Sequence, residues 1–211
     1  MLIRYYGHAL FLLESAAGFR IATDPYDETV GYPLPNLQAD VVTLSHAHFD
    51  HHNAALCPDA RSIEAPGRYA PAPGVSLRTV DSFHDDCQGA KRGKNLIFCY
   101  EIDGLRLCHL GDLGHRLTPA QCQAIGPVDI LMLPVGGHYT LEPPEACEVM
   151  KALAPQVTLP MHYRTQANPG WAIAPLGVFE GAAGKCQGPC PLLRLTREDV
   201  TCSPPLVKMS W

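Results

Sequence analysis

The stretch with the greatest chemical potential reads SHAHFDHH, from residue 45 to residue 52. It holds four metal-ligand residue types at close spacing: His46, His48, Asp50 and His51. In an extended segment alternate residues share a face, so His46 and His48 can bind one ion together. Asp50 and His51 follow where the chain turns and can face a second ion. Imidazole and carboxylate at this density predict a borderline divalent metal such as Zn²⁺. The alternative of four solvated loop residues is disfavoured, because such groups are costly to bury together without a metal.

Short strands must position this run. The apolar segment Val41–Leu44 leads directly into it, and similar β-rich segments recur through the first half of the chain, whereas the second half alternates strands and helices. This order predicts a layered α/β (α+β) protein with sheets inside and helices outside. The 211 residues fit a single domain, 1–211. Within it, the Gly/Pro-rich segment 168–191 is predicted to be a loop or flap.

The SHAHFDHH run resembles the H-x-H-x-D-H signature of the metallo-β-lactamase fold superfamily. Members of that superfamily carry further site residues at the same edge of a β-sandwich. This chain has a matching residue at each place: Asp24 in Ala-Thr-Asp-Pro-Tyr, His84 in Ser-Phe-His-Asp-Asp, Asp112 in His-Leu-Gly-Asp-Leu and His162 in Pro-Met-His-Tyr. The resemblance extends from Tyr6 to about Arg164. It implies a four-layer αββα sandwich with the metals at one edge of the two sheets.

Five further phrases are similar to a narrower branch, the small metal-dependent hydrolases related to L-ascorbate-6-phosphate lactonase. They are Tyr-Gly-His-Ala at 6–9, Phe-His-Asp-Asp at 83–86, Arg-Gly-Lys-Asn at 92–95, His-Leu-Gly-Asp-Leu-Gly-His at 109–115 and Pro-Val-Gly-Gly at 134–137. Many members of this branch have no assigned substrate, so the likeness indicates a class of reaction and leaves the substrate open.

The resemblance implies seven ligands for two ions. His46, His48 and His84 would hold the first ion, Asp50, His51 and His162 the second, and Asp112 would bridge both. Two divalent cations outweigh two carboxylates and one hydroxide, so the site would accept an anionic or carbonyl oxygen. We therefore predict a metal-dependent hydrolase in which a bridging hydroxide, oriented by Asp50, attacks an ester, lactone or phosphate-ester centre of a small anionic substrate. Zinc is the favoured metal, with Mn, Fe or Ni as alternatives.

Three residues are candidates for supporting the ligands. Asp24 would accept an imidazole N–H, with a plain turn before Pro25 as the alternative. The resemblance places His8 near the site, although a structural histidine is an equal alternative. His109 would lie close enough to compete with His84 as a ligand, and the loop context of His84 favours the latter.

Three more residues are candidates for substrate contact or proton transfer. His138 follows the Pro-Val-Gly-Gly passage and would bind substrate or carry a proton, with an ordinary loop histidine as the alternative. Tyr163 and Arg164 adjoin His162 and are predicted substrate contacts. Three basic residues form either an anion-binding lip or, as the favoured alternative, a solvated hairpin tip: Lys91, Arg92 and Lys94.

The composition of the chain indicates which classes of partner and which cellular location to expect. The net charge of −5 does not favour broad binding to nucleic acid or to an anionic membrane. Nine cysteines without a framework pattern, and no secretory signal, predict free thiols in the cytoplasm. The competing functions are a phosphodiesterase or nuclease of the same fold and a non-catalytic metal-binding protein. The sequence leaves the oligomeric state open.

Overall fold

The computed structural model describes residues 1–211 and contains fourteen strands and four α-helices. The strands are β1 (Leu2–Tyr5), β2 (Phe11–Glu14), β3 (Arg20–Thr23), β4 (Val41–Thr43), β5 (Arg61–Ile63), β6 (Arg68–Ala72), β7 (Val75–Phe83), β8 (Lys94–Ile102), β9 (Leu105–His109), β10 (Ile130–Pro134), β11 (Val157–Met161), β12 (Gln187–Cys190), β13 (Leu193–Arg194) and β14 (Val207–Met209). The helices are α1 (Pro119–Ile125), α2 (Pro143–Leu153), α3 (Leu176–Ala183) and α4 (Asp199–Cys202), with two short 3₁₀ helices at Glu28–Val30 and Ala54–Leu56.

Twelve strands form two six-stranded mixed sheets. The first sheet has the order β13-β1-β2-β3-β4-β5 and the second β11-β10-β9-β8-β7-β6, while β12 and β14 pair separately. The buried side chains of the two inner faces meet in the largest apolar cluster, which includes Phe11, Phe98 and Met132. β10 is buried along its whole length, as expected for an inner strand covered on both faces. The predicted arrangement of sheets inside and helices outside is therefore confirmed.

The two outer layers differ in content. Helices α1, α2 and α3 cover the second sheet with Ile125, Val149 and Phe179 among their buried residues. The first sheet is covered by the two short 3₁₀ helices and the loops around them, where Tyr26 and Val30 are fully buried. The helical layer over the first sheet is thus thin.

Helix α1 shows how local chemistry sets an element. Its capping residue Thr118 accepts a hydrogen bond from the backbone N–H of Gln121, and the Gln121 side chain accepts one from the Thr118 N–H. Proline occupies the first turn, where its missing N–H costs nothing. These contacts fix the start of α1 at Pro119.

The segment 168–191 contains more structure than the predicted loop or flap. Helix α3 begins at Leu176, and β12 pairs with β14. Leu176 and Phe179 lie three residues apart on one helix face and are buried against the second sheet's outer layer, which stabilises the helix despite its glycines. Residues 168–175 lack regular structure.

The strands that precede the candidate site residues all end at one edge of the sandwich. β3 and β4 are parallel, as are β9, β10 and β11, and β7 runs in the same direction as β9 because both are antiparallel to β8. The carboxyl ends of strands that run in one direction meet at one edge. The segments that follow them carry Asp24, His46, His84, Asp112 and His162.

None of the helices has the length and apolar character needed to cross a membrane. The single domain at 1–211 and the cytoplasmic location stay predictions.

Candidate metal centre

Seven predicted ligands and His8 converge at the strand-end edge. Three overlapping groups have their ligand atoms within 4.8 Å of one another: His46, His48 and His84; His8, Asp50, His51 and His162; and His46, His51 and Asp112. The first two groups correspond to the two predicted metal sites, with His8 added to the second. The third group joins them through residues of both.

Asp112 lies between the two groups, and both of its carboxylate oxygens face imidazole nitrogens. Its Oδ1 is 3.1 Å from His51 Nε2, whereas its Oδ2 is 3.0 Å from His84 Nε2 and 3.3 Å from His162 Nε2. Its backbone N–H donates to Asn95 Oδ1 at 2.9 Å, which fixes the residue directly after the turn that ends β9. Asp112 is therefore placed to serve two ions at once.

Asp24 fixes the orientation of two imidazoles, that of His51 directly and that of His46 through Ser45. It is fully buried and accepts hydrogen bonds from the backbone N–H and the hydroxyl of Ser45, and from His51 Nδ1 at 2.9 Å. The Ser45 hydroxyl in turn accepts from His46 Nδ1 at 2.9 Å. Both histidines therefore carry their proton on Nδ1, which leaves the Nε2 lone pair free to bind a cation.

His84 is oriented in the same way from the second sheet. Its Nδ1 donates to the backbone carbonyl of Tyr139 at 3.1 Å, so Nε2 is the ring nitrogen that faces Asp112 and is available to bind a cation. Gly114 lies against this segment, and a Cβ at that position would meet the backbone of His84 and Asp85. The glycine in the Gly-Asp-Leu-Gly phrase thus allows the two loops to touch.

The two other histidines predicted to support the ligands take different places. His8 Nε2 lies 3.0 Å from Asp50 Oδ2 and holds that carboxylate towards the second ligand group. His109 lies deeper, with Nε2 bonded to the carbonyl of Ala9 at 3.0 Å and Nδ1 accepting from the N–H of Gly111 at 3.1 Å. Because both ring nitrogens of His109 are engaged, it packs under the site while His84 faces Asp112.

Burial and charge set the protonation of the imidazoles. Burial lowers the pKa of His46 to about 3, and the neighbouring His51 adds to the effect. Burial likewise lowers the pKa of His8 to about 4, assisted by His162. For His51 burial has the same tendency, yet the Asp112 and Asp50 carboxylates raise its pKa well above the usual value. The buried carboxylates thus require positive charge at this point, and a bound cation would supply it.

The residues present fit a metal centre. The Nε2 atoms of His46, His51 and His162 and the Oδ1 of Asp112 are buried without a hydrogen-bond partner. Buried polar atoms are rarely left unpaired, and these four point into the same small volume. Imidazoles held in fixed orientations and two carboxylates form a donor set suited to borderline divalent cations.

Three site residues adopt the left-handed backbone conformation that non-glycine residues seldom use. They are His8 with φ 55°, Asp24 with φ 40° and His162 with φ 51°. Each directly follows a strand or its turn, and the conformation folds the side chain back over the strand end. Gly136 faces His162 closely, and a Cβ on Gly136 would meet the His162 carbonyl oxygen. This contact explains why a glycine follows β10.

A cavity of about 640 Å³ opens over the ligands. Its base is formed by ligands of both groups, among them His48 and Asp112, and its rim by Phe49, Arg92, Tyr139 and Trp171, with Thr29 and residues 170 and 172 beside them. No motif or spacing in the sequence marks Phe49 or the two other aromatic residues as part of a site. Their positions depend on loop conformations that spacing alone does not encode.

Three residues predicted to contact substrate lie outside this cavity. Tyr163 is 4% exposed and packs in the apolar layer behind the second sheet, because the chain turns at the positive φ of His162, whose side chain takes the site side. Arg164 is exposed away from the lining. His138 is also exposed, and Tyr139 lines the cavity in its place. The structure does not bring these three side chains to the ligands, and their predicted roles do not enter the proposals below.

Asp85, adjacent to His84, fixes the loop that carries Arg92. Its Oδ1 accepts from the N–H groups of Cys87 and Gly89, and its Oδ2 from those of Lys91 and Arg92, all within 3.0 Å. Although its burial acts in the opposite sense, these N–H groups lower the pKa of the Asp85 carboxyl. Asp85 therefore anchors this loop through four backbone N–H groups.

Asp85→Asn is expected to loosen the loop and leave the ligands in place. The amide nitrogen would face two backbone N–H donors, so two of the four hydrogen bonds are lost. We expect faster amide hydrogen exchange at Lys91 and Arg92 with unchanged metal content. Asp86→Asn is the matched control, because Asp86 is exposed and contacts Lys91 only through its side chain. Unchanged exchange in Asp85→Asn would contradict the anchoring role.

Comparisons with known proteins agree with the fold and with a metal site. The family model described as beta-lactamase superfamily domain matches residues 2–162. A UPF0173 metal-dependent hydrolase of Thermococcus onnurineus is 30% identical over 193 residues, covering 77% of this chain and 84% of that protein. A homologue in Thermococcus kodakarensis is 28% identical over 191 residues with the same coverage. A solved structure from Thermotoga maritima, assigned to the Zn-dependent hydrolases of the metallo-β-lactamase superfamily, is 40% identical with a TM-score of 0.82 and covers 99% of this chain and 97% of its own.

A two-sheet sandwich with histidines and aspartates gathered at one edge defines a metallo-β-lactamase-fold hydrolase. The chain belongs to the beta-lactamase superfamily. Within that superfamily it is a metal-dependent hydrolase, as its relatives are.

Proposed function

We propose that this hydrolase is dinuclear and cleaves an ester, lactone or phosphate-ester bond in a small anionic substrate. The supporting observation is the pair of adjoining ligand groups, one of three histidines and one containing Asp50, His51 and His162. Asp112 lies within reach of both. A single-ion site would not need carboxylate oxygens turned towards both groups. Zinc is the metal we propose, because imidazole and carboxylate nitrogen and oxygen donors suit it.

When bound, the two ions would supply Lewis-acid stabilisation of developing negative charge and a water acidic enough to deprotonate near neutral pH. The chain's own residues have separate tasks. Asp50, despite its burial, has its pKa lowered by His51 and His8, so it is a carboxylate that can accept a proton or a hydrogen bond from the reacting water. His8 restrains the orientation of that carboxylate. The rim residues shield the site from bulk water.

The electrostatics of the cavity favour a small substrate over a nucleic acid. Arg92 is its single cationic lining residue, and the whole chain carries a net charge of −5. A long polyanion is usually gripped by several lysines and arginines along its path. The likeness to L-ascorbate-6-phosphate lactonase stays a prediction.

His48→Gln tests the number of ions. His48 is solvent-exposed, so its removal should leave the fold intact while weakening the first ligand group. We expect the zinc content to fall from two ions to one per chain. We also expect kcat/KM on the best substrate of an aryl ester, lactone and phosphate-ester panel to fall about 10- to 100-fold. Elemental analysis and initial rates measure both effects.

His52→Gln is the matched control. His52 belongs to the same run but its Nε2 lies 2.8 Å from Glu64 Oε2, outside the ligand groups. It should retain both ions and full activity. Wild-type protein that binds a single ion at saturating zinc would rule out the dinuclear proposal, and a fully loaded enzyme inactive across the panel would rule out the substrate classes.

A further inference from the structure

The rim of the cavity has a chemistry of its own, distinct from the ligands at its base. Three aromatic rings surround the opening: Phe49 and Trp171 have centroids 6.3 Å apart, and Tyr139 and Trp171 lie 6.5 Å apart at 84°. Phe49 is 54% exposed and Tyr139 36% exposed. Large aromatic surfaces left open around a cavity favour a planar or apolar ligand group that would cover them.

Arg92 is the one cation in this rim, and it is held in place. Its Nη2 donates to the His138 carbonyl at 3.2 Å, and its guanidinium carbon lies 5.6 Å from the centre of the Tyr139 ring. Its backbone N–H donates to Asp85 at 2.8 Å. The side chain is thus fixed by one hydrogen bond and one stacking contact, and its remaining N–H groups are free to bind a ligand.

No carboxylate of the protein neutralises Arg92. It forms no ion pair, whereas the neighbouring Lys91 lies 3.2 Å from Asp86. The only carboxylates that line the cavity are Asp50 and Asp112, both assigned to the metals. An oriented guanidinium without an anionic partner, at the mouth of a reaction cavity, is the usual arrangement for binding a carboxylate or phosphate.

We propose that Arg92 is a specificity-determining residue that binds an oxyanion of the substrate, a carboxylate or a phosphate, remote from the bond that is cleaved. A planar or apolar body would connect the two ends and contact Phe49 and Trp171. The substrate class is therefore an arylic or similarly apolar ester with a separate anionic group. This inference deepens the proposed function and rests on it for the reaction, while the binding step can be measured alone.

Binding is tested on zinc-loaded protein by titration calorimetry with benzoate, phenylphosphonate and neutral benzamide. Arg92→Gln should weaken the two anions by about 10- to 100-fold and leave benzamide unchanged, because a charge-assisted hydrogen-bond pair is lost. The anion that loses more affinity identifies the preferred group. Arg92→Lys keeps the charge without the planar fork, so it should show an intermediate loss. Lys91→Gln, outside the cavity, should change nothing.

Turnover gives the second measurement. Phenyl acetate and 4-acetoxybenzoate present the same ester without and with a remote carboxylate, and 4-acetoxyphenylphosphonate carries a phosphonate instead. We expect Arg92→Gln to reduce the preference for the charged esters about 10-fold, chiefly through KM, since the contact is far from the reacting bond.

The outcomes separate this inference from the proposed function. If no ester is cleaved but Arg92→Gln still weakens benzoate selectively, the assignment of Arg92 holds and the proposed ester chemistry fails. If the esters are cleaved and Arg92→Gln alters neither anion affinity nor substrate preference, the assignment is overturned. If Arg92→Gln lowers the melting temperature or the metal content, Arg92→Lys is used in its place. A selective loss of anion affinity in Arg92→Lys then supports the assignment of Arg92, and unchanged anion affinity overturns it.

Discussion

Asp112→Asn is expected to remove at least one ion and to lower kcat/KM by a factor on the order of 10³, more than the loss typical of an outer hydrogen-bond partner. Both oxygens of Asp112 face imidazole nitrogens of the two ligand groups. An asparagine fills the same space but replaces one oxygen with an N–H₂ group, which would point at a ligand nitrogen or a cation. The negative charge shared by the two sites is also lost.

The matched control is Asp129→Asn. Asp129 is also buried, at 5% exposed, and its Oδ1 lies 2.6 Å from Arg106 Nη2. It lies just before β10, at the opposite end of that strand from the candidate metal centre. It should lower the melting temperature while retaining both ions and full activity. Elemental analysis, thermal denaturation and initial rates on the three proteins distinguish loss of metal from loss of fold. An Asp112→Asn variant with two ions and wild-type turnover would refute the bridging role.

The part of the site that could be read from the sequence is the part encoded locally. In the SHAHFDHH run, residue type and alternation alone place His46 and His48 on one face beside Asp50 and His51. Residues far along the chain, such as Asp112 and His162, were reached through the family resemblance, since spacing does not show which distant strand ends meet. The structure brings them together because the strands that precede them run in one direction to one edge.

The residues of the cavity rim could not be predicted from the sequence, because their positions depend on the backbone conformation of single turns. The imidazole of His138 suggested chemistry, yet the chain passes through Gly137 and His138 at positive φ and turns Tyr139 to the cavity. The same reversal of sides separates His162 from Tyr163. Trp171 reaches the rim from a segment whose sequence has no periodicity at all. Loop conformation, which glycines and long-range contacts decide, set these positions.

The secondary structure likewise divides into elements that the local sequence predicts and elements that it does not. Long apolar segments, such as those that form β8 and β10, have a composition from which a strand can be predicted. The short strands β5 and β6 were missed because their side chains are mostly exposed and have no apolar pattern to detect. Helix α3 was missed because glycine and alanine conceal a face that only tertiary packing defines.

Asp24→Asn is expected to weaken metal binding about 10- to 100-fold although Asp24 would touch neither ion. Asp24 Oδ2 accepts from His51 Nδ1 and from the Ser45 hydroxyl, and Oδ1 accepts from the Ser45 N–H. With an amide nitrogen in place of Oδ2, His51 must accept there and carry its proton on Nε2, which faces the ion. If the amide group adopts the flipped orientation, its nitrogen instead faces the Ser45 N–H, and the hydrogen bond from that N–H is lost. Asparagine tolerates the positive φ at this position, so the backbone should persist.

The tautomer of His51 is the readout that separates this mechanism from a general loss of stability. Long-range nitrogen–proton NMR spectra of metal-free protein, recorded at a pH above the raised pKa of His51 so that its ring is neutral, should show the His51 proton moving from Nδ1 to Nε2 in Asp24→Asn. Competition with a chelator measures the loss of zinc affinity. Asp40→Asn is the matched control, because Asp40 accepts a backbone N–H from Arg20 at the other end of β3 and is exposed. Unchanged zinc affinity in Asp24→Asn, with His51 still protonated on Nδ1, would show that Asp24 does not set the ligand's orientation.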